Sequence, residues 1–414
     1  VAALPRGMPP AVVVTLVRHA ECVANVAGVL PGDDDPELTA RGTAQVRRLE
    51  ERLRGDRFDL VVSSPLRRTR ATAAAIGAPR VDPRWREFDF GHWKGRSPEE
   101  IEERSPGRFR AFAAGIEDAV SGGERMSRFT GRVAEGWRAI VDELRPRGRA
   151  VVVTHAAPIM TILGRVLGLA DPYRRCALVG NASLTTVAEE EDGRRRLLSF
   201  NDRLHLPEPD AGTTSVYLFR HGRTEANVAG RWQGRTDTPL DEVGERQARR
   251  LARVAPALDV LYTSPLARAR HTARLLAAEQ GLSVEVVEEL SEIDFGSWED
   301  RTATEVRARD PEAFAAVYRD DRDLPRGGSG ETFAAAGARL AAAIEELVAA
   351  HPGERIGVVG HGGVVRAYLC RLLGIPFAGR GRIGIMANAA MSRFDFGADG
   401  PRLVTWNGDP RFGA

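Results

Sequence analysis

Two arginine–histidine pairs, each closing an apolar run, pose the chemical question for this chain. Arg18 and His19 follow the run Ala11 to Val17, and Arg220 and His221 follow Ser215 to Phe219. A second histidine closes a later apolar run in each half, His155 in VVVTHAA and His361 in VVGHGG, so half of the chain's 8 histidines fall at these repeated places. Arg68 in SPLRRTRATA and Arg268 in SPLARARHTA also hold matching positions. A metal site would call for carboxylates or thiolates at ligand spacing, but arginines recur instead. Arginine repels a metal ion and grips a phosphate with a planar fork of donors. Two arginines and two histidines per half read as a phosphate pocket with no metal and no cofactor.

These side chains need elements that bring them together. Apolar runs at 11–17, 58–62 and 150–153 predict buried strands, and helical periodicity marks 39–54, 66–76, 127–144 and 158–168. Strands alternating with helices predict an α/β fold: a mostly parallel sheet with helices on both faces, in three α/β/α layers. In open parallel sheets, binding residues gather at the carboxyl ends of strands, where these histidines stand. SLTTVAEEEDGRRRLLSF and MSRFDFGADGPRLVTW each carry an Asp-Gly turn between strand-like runs and predict a hairpin. The Arg194 to Arg196 run then reads as a solvated strand start rather than a nucleic-acid patch.

The whole pattern occurs twice. VRHAECVANVAG matches FRHGRTEANVAG, VVSSPLRRTRATA matches LYTSPLARARHTA, EFDFGHWKG matches EIDFGSWED, and NASLTTV matches NAAMSRF. The offset between copies stays between 200 (Arg68 to Arg268) and 207 (Asn181 to Asn388), which implies duplication of a domain. We place the domains at 1–205 and 215–414, joined by a linker at 206–214, LPEPDAGTT. So short a linker predicts that the domains pack on each other.

Composition narrows the setting. With 414 residues, 43% hydrophobic and 28% charged, the chain is globular, and a net charge of +2 gives no reason to expect nucleic-acid or membrane partners. Lys94 is the only lysine, and the Arg-, Ala- and Gly-rich usage suggests a GC-rich genome. Cys22, Cys176 and Cys370 form no disulfide framework. With no membrane-length apolar run and no signal-like start, a cytoplasmic location is expected.

RHGRTEAN, SPLARARHTA, SEIDFGSWE and GHGG, in this order, resemble the motif series of the histidine phosphatase superfamily, the phosphoglycerate mutase-like fold. The resemblance covers both halves. It implies an enzyme that acts on a small phosphorylated metabolite through a phosphohistidine. By position, His221 is the implied nucleophile, Arg220, Arg268 and His361 surround the phosphate, and Glu292 donates the proton. Asn227, Thr224 and Gln233 are implied to line the pocket. The first copy offers His19, Arg18, Arg68, His155, Glu87 and Asn25, with Cys22 in place of the threonine. Chemistry agrees: a neutral imidazole attacks phosphorus, and neighbouring arginines favour the neutral form. No step of this scheme calls for a metal.

Several assignments stay open on sequence. Asp89 and Asp294 stand two residues beyond the glutamates and are the competing acids, or else caps. Trp93 and Trp298 read as packing residues. Glu124 and Glu331 either touch substrate or sit at a helix N-terminus. Ala20 replaces the glycine after the nucleophile and is expected to narrow the pocket, while Cys22 removes a hydroxyl donor from phosphate. Where the second copy reads RWQGRTDTPL with Arg231 and Arg235, the first reads VLPGDDDPEL. Asp33, Asp34 and Asp35 there either disfavour a polyanion or form a plain solvated turn. Mutases of the family resemble a longer chain, with an insertion between the glutamate and the second histidine and a tryptophan before the pocket asparagine. Here both segments are short and Ala24 and Ala226 stand at that place, so a phosphatase is favoured over a mutase. A third reading makes one domain a non-catalytic phosphate-binding module. The second copy carries the more standard site.

Overall fold

A computed structural model describes residues 11–31, 35–113, 120–207 and 212–410. Asp33, Asp34 and residues 208–211 of the linker lie outside the described residues. The chain divides into two compact units, Val1–Leu206 and Pro207–Ala414.

The first domain starts with strand β1 (Ala11–Arg18), a short helix α1 (Val23–Val26) and helix α2 (Ala40–Leu53). Then come β2 (Leu60–Ser63), α3 (Arg67–Ala74), β3 (Arg80–Val81), α4 (Pro98–Arg104) and α5 (Arg108–Ala113). Helix α6 (Met126–Leu144), β4 (Gly148–Thr154), α7 (Ala156–Leu167), β5 (Leu184–Glu190) and β6 (Arg195–Asp202) complete it. Among the described residues the sheet order is β6-β5-β1-β4-β2-β3, parallel from β1 to β3 and antiparallel across the β5–β6 hairpin. Ala11 to Val17 are all buried. That lack of alternation marks a strand covered on both faces. Val17, Leu49, Leu53, Ala73, Val151, Val153 and Leu184 form one core cluster on the sheet, each large aliphatic side chain stabilising by about 1.5–3 kcal/mol.

The second domain repeats this plan. Its elements are β7 (Thr214–Arg220), α8 (Glu225–Ala229), β8 (Arg231–Trp232), α9 (Glu242–Val254), β9 (Val260–Thr263), α10 (Ala267–Gln280) and β10 (Glu285–Val286). After them come β11 (Arg301–Thr302), α11 (Ala303–Arg309), α12 (Pro311–Tyr318), α13 (Phe333–Ala350), β12 (Arg355–Gly360), α14 (Gly362–Leu373), β13 (Met391–Gly397) and β14 (Gly400–Gly408). The sheet order is β10-β9-β12-β7-β13-β14. A small ribbon, β8 with β11, is added.

The parallel register is what makes a site. Arg18 pairs with Thr154 and Arg220 with Gly360, so the residues that follow, His19 beside His155 and His221 beside His361, emerge together at the carboxyl edge. Helices α7 and α14 begin one residue beyond the second histidine, which is their N-cap. That is why α7 begins ahead of the predicted 158. The Arg194 to Arg196 run sits in a hairpin and pairs with acids: Arg195 with Glu189 at 2.6 Å, Arg196 with Glu190 at 2.8 Å and Arg194 with Glu190 at 3.0 Å.

Candidate active site

In each domain the two histidines are buried, with ring centroids 5.1 Å apart for His19 and His155 and 5.2 Å for His221 and His361. The Nδ1 of His19 lies 2.8 Å from the carbonyl of Ala20, and that of His221 lies 2.7 Å from the carbonyl of Gly222. A carbonyl only accepts, so Nδ1 carries the proton and the Nε2 lone pair is left for other work. Arg68 donates its Nε–H to that Nε2 of His19 at 3.3 Å. All four histidines are held well below the ordinary value of 6.5, first by burial. The arginines add to the effect at each of them, so the repulsion expected from sequence is real but second to desolvation.

The second histidine is held by a serine. Ser64 Oγ lies 2.9 Å from Nε2 of His155 and Ser264 Oγ lies 2.8 Å from Nε2 of His361. Nδ1 of His361 is buried and has no partner among the described residues. In the first domain the corresponding Nδ1 lies 3.4 Å from Nη2 of Arg68.

Arg68 and Arg268 are buried, Arg18 and Arg220 half-buried, and all four are anchored from behind. Arg18 donates to the carbonyl of Val179 at 2.5 Å, and Arg220 to that of Met386. Burial lowers Arg220 to about 10 despite the opposing charge of Glu292. Arg268 donates to the carbonyls of Gly234 and Thr236, both at 2.7 Å. Arg68 instead meets the carboxylate of Asp35 at 3.2 Å, and Asp35 also accepts the amide of Arg67 at 2.6 Å. Asp237 accepts the amide of Ala267 at 2.6 Å in the same way. Asp35 thus caps the start of α3 and ion-pairs with Arg68.

Glu87 and Glu292 reach the N-termini of α7 and α14, and here the copies diverge. Glu292 accepts the amides of Gly363 at 3.0 Å and Val364 at 2.7 Å. A Cβ on Gly363 would stand 2.7 Å from its Oε1. The first domain has Ala157 and Pro158 at those positions. Ala157 donates to Glu87 at a longer 3.3 Å, and proline has no N–H to give. Burial raises Glu87 above the ordinary carboxyl value, against the amide of Phe88 and the charges of Arg18 and Arg68. Asp89 and Asp294, by contrast, accept the amides of Gly91 at 3.0 Å and Gly296 at 2.8 Å, and Asp89 pairs with Lys94 at 2.8 Å. They are turn caps, which leaves the glutamates as the acids beside the histidines.

Other expectations need correction. Thr224 is completely buried; it caps α8, and its hydroxyl lies 3.1 Å from Oδ1 of Asn227 and 3.0 Å from Oε1 of Gln233. Cys22 lies in the same way, its Sγ 3.2 Å from Oδ1 of Asn25. Neither is a free donor for phosphate; both orient the asparagine. Gln233 also receives the hydroxyl of Thr238 on that oxygen. Glu124 and Glu331 do not cap a helix, and although Glu124 lines the cavity both spend their carboxylates on an arginine. They pair with Arg132 and Arg339, at 2.8 Å to each oxygen, and those arginines hold the carbonyls just before and at Glu87 and Glu292. Gly222 packs closely, since a Cβ there would meet the carbonyl of Gly244 in α9 at 2.3 Å unless the backbone shifted. In the first domain Ala20 stands at that place and is buried. Trp93 and Trp298 are buried packing residues, as expected.

Sequence reasoning passed over Ser64, Ser264, Asn181 and Asn388. Nδ2 of Asn181 donates to the His19 carbonyl and to Oδ1 of Asn25, both at 3.0 Å. Nδ2 of Asn388 does so to the His221 carbonyl at 3.2 Å and Oδ1 of Asn227 at 3.1 Å. Each pocket asparagine has its oxygen filled in this way, which leaves its amide hydrogens as donors. All four residues recur at the repeat offset, and that was the available signal.

The sequence profile of the histidine phosphatase superfamily (branch 1) matches residues 14–203 and again 216–409. A metal-independent phosphoserine phosphatase of Arabidopsis thaliana is 37% identical over 177 residues, 41% of this chain and 74% of that protein. An adenosylcobalamin/alpha-ribazole phosphatase of Salmonella typhimurium is 39% identical over 167 residues, 39% of this chain and 81% of its own length. A glucosyl-3-phosphoglycerate phosphatase of Mycobacterium tuberculosis is 34% identical over 210 residues, covering 46% and 93% respectively.

Proposed function

Because both halves of this chain belong to the histidine phosphatase superfamily, branch 1, we propose that it is a two-site phosphomonoesterase that hydrolyses small phosphorylated metabolites through phosphohistidines on His19 and His221. The observation that carries this reading is the state of the leading histidine. It is buried and neutral, with Nδ1 tied to a backbone carbonyl, beside one buried and one half-buried arginine. The phosphatase names of its relatives support it.

In the first step Nε2 of His221 bonds to phosphorus as the ester P–O bond breaks. Arg220, Arg268, His361 and the amide of Asn227 hold the non-bridging oxygens, where charge spreads in the transition state. Loss of one such donor costs about 10²–10³ in rate. Glu292 gives its proton to the departing alkoxide, worth roughly 10²–10⁴. In the second step the carboxylate takes a proton from water as its oxygen bonds to phosphorus. The N–P bond then breaks and a neutral imidazole returns. His19, Arg18, Arg68, His155, Asn25 and Glu87 perform the same steps in the first domain. The second domain is the more standard site; the first keeps every group and differs in specificity. Returning the phosphoryl group to the substrate, as a mutase does, has no specific support in either site.

The test is replacement of His19 and His221 by alanine, singly and together, with phosphate release measured on a panel of phosphomonoesters. Each single variant should keep part of the activity and the double variant none. Full activity of His221→Ala on every substrate hydrolysed would overturn the assignment to the second domain.

A further inference from the structure

A cavity of about 600 Å³ in the first domain runs from Arg68 and Glu87 outward to Arg86, Lys94, Arg125 and Arg128. At the aligned positions the second domain has Ser291, Glu299, Thr332 and Ala335. Four basic residues in one copy thus face three uncharged residues and one acid in the other. Part of the first domain's charge is already used, since Lys94 pairs with Asp89 at 2.8 Å. Arg86 and Arg128 are exposed on the cavity and have no ion pair with any described residue. In the second domain Glu299 serves the loop instead, accepting the amide of Arg235 at 2.7 Å and the hydroxyl of Thr236 at 2.9 Å.

We propose that the two sites divide substrates by charge: Arg86 and Arg128 make the first domain selective for phosphomonoesters that carry a second anionic group. The reacting phosphate is held by Arg18 and Arg68, and the second anion meets Arg86 and Arg128 further out in the same cavity. Guanidinium groups suit a carboxylate or phosphate alike, as planar forks of donors. The inference rests on the phosphatase reading for the reaction but not for the binding, so the two fail separately.

The experiment uses the full chain with His221→Ala, so that turnover comes from the first domain. Three probes are compared: glycerol 2-phosphate, 3-phosphoglycerate for a second carboxylate, and fructose 1,6-bisphosphate for a second phosphate. The preference for the anionic probes over glycerol 2-phosphate should fall on the order of ten-fold, in KM rather than kcat, on Arg86→Ser with Arg128→Ala. It should also shrink as salt rises. The loss falling mainly on 3-phosphoglycerate or on the bisphosphate tells which second anion is read. The reciprocal pair Ser291→Arg and Ala335→Arg, in a His19→Ala chain, should give the second domain that preference. Calorimetric binding of the same probes is measured in parallel. Unchanged preference in both turnover and binding overturns the inference. Absence of His19-dependent turnover, with binding still weakened by the arginine substitutions, overturns the phosphatase reading of this domain and keeps the charge selection.

Discussion

The seat of the glutamate offers a quantitative test of how the two sites differ. Glu292 takes two amides from the start of α14, at 3.0 and 2.7 Å. Glu87 takes one from α7, at 3.3 Å, because Ala157 carries a Cβ and Pro158 no N–H. Replacing Ala157→Gly together with Pro158→Val should give Glu87 both donors. A hydrogen bond to a charged group is worth about 1.5–3 kcal/mol, and 1.36 kcal/mol corresponds to about one pKa unit. The ionised carboxylate is thereby favoured, and the alkaline limb of the first domain's activity should move to lower pH by about 1–2 units. The sign follows from the role: the acid works while protonated, activity is lost as pH rises through its pKa, and burial now holds that point above the ordinary carboxyl value. The assay is the pH dependence of kcat/KM in a His221→Ala chain. A limb that stays in place, or moves to higher pH, refutes the reasoning.

Further outcomes are expected. Ser64→Ala and Ser264→Ala should each slow their own domain by roughly ten-fold by freeing the second histidine, read as kcat in the chain lacking the other nucleophile. Arg339→Ala removes the guanidinium that pairs with Glu331 and holds the carbonyls of Ser291 and Glu292, and should lower the urea unfolding free energy by about 1.5–3 kcal/mol, with Arg339→Lys recovering little. The lowered pKa of His155 and His361 means the unfolded chain binds protons first. Their stability contribution is therefore complete above pH 6.5 and lost as pH falls below it; urea midpoints should drop from pH 7 to 5, and His155→Gln with His361→Gln should flatten that slope.

Much of this site was legible because register does the positioning. Once Arg18-His19 and Thr154-His155 are seen to end strands, parallel pairing sets the histidines side by side, and duplication repeats the message. The helix predicted for 127–144 is α6 within one residue, since its apolar face is unbroken. What sequence could not weigh was who holds whom. Thr224 and Cys22 look like phosphate ligands in a motif, yet each is the cap of a short helix and spends its side chain on an asparagine. Glu124 and Glu331 look like free acids until Arg132 and Arg339, eight residues on, are seen to clamp them. Nothing in the types of Ala157 and Pro158 signals that their consequence falls on Glu87, seventy residues before Ala157. Side chains that act through another residue carry no type signature; only recurrence at the repeat offset, as for Asn181 and Asn388, could have marked them.

The central claim, that each domain forms a phosphohistidine on its leading histidine, is tested most directly by rapid quench of the full chain with a labelled phosphomonoester, followed by peptide mapping at alkaline pH. The account predicts acid-labile, base-stable label on His19 and His221, each site lost with its own alanine variant. Label that survives acid, or turnover with label on neither histidine, would contradict it.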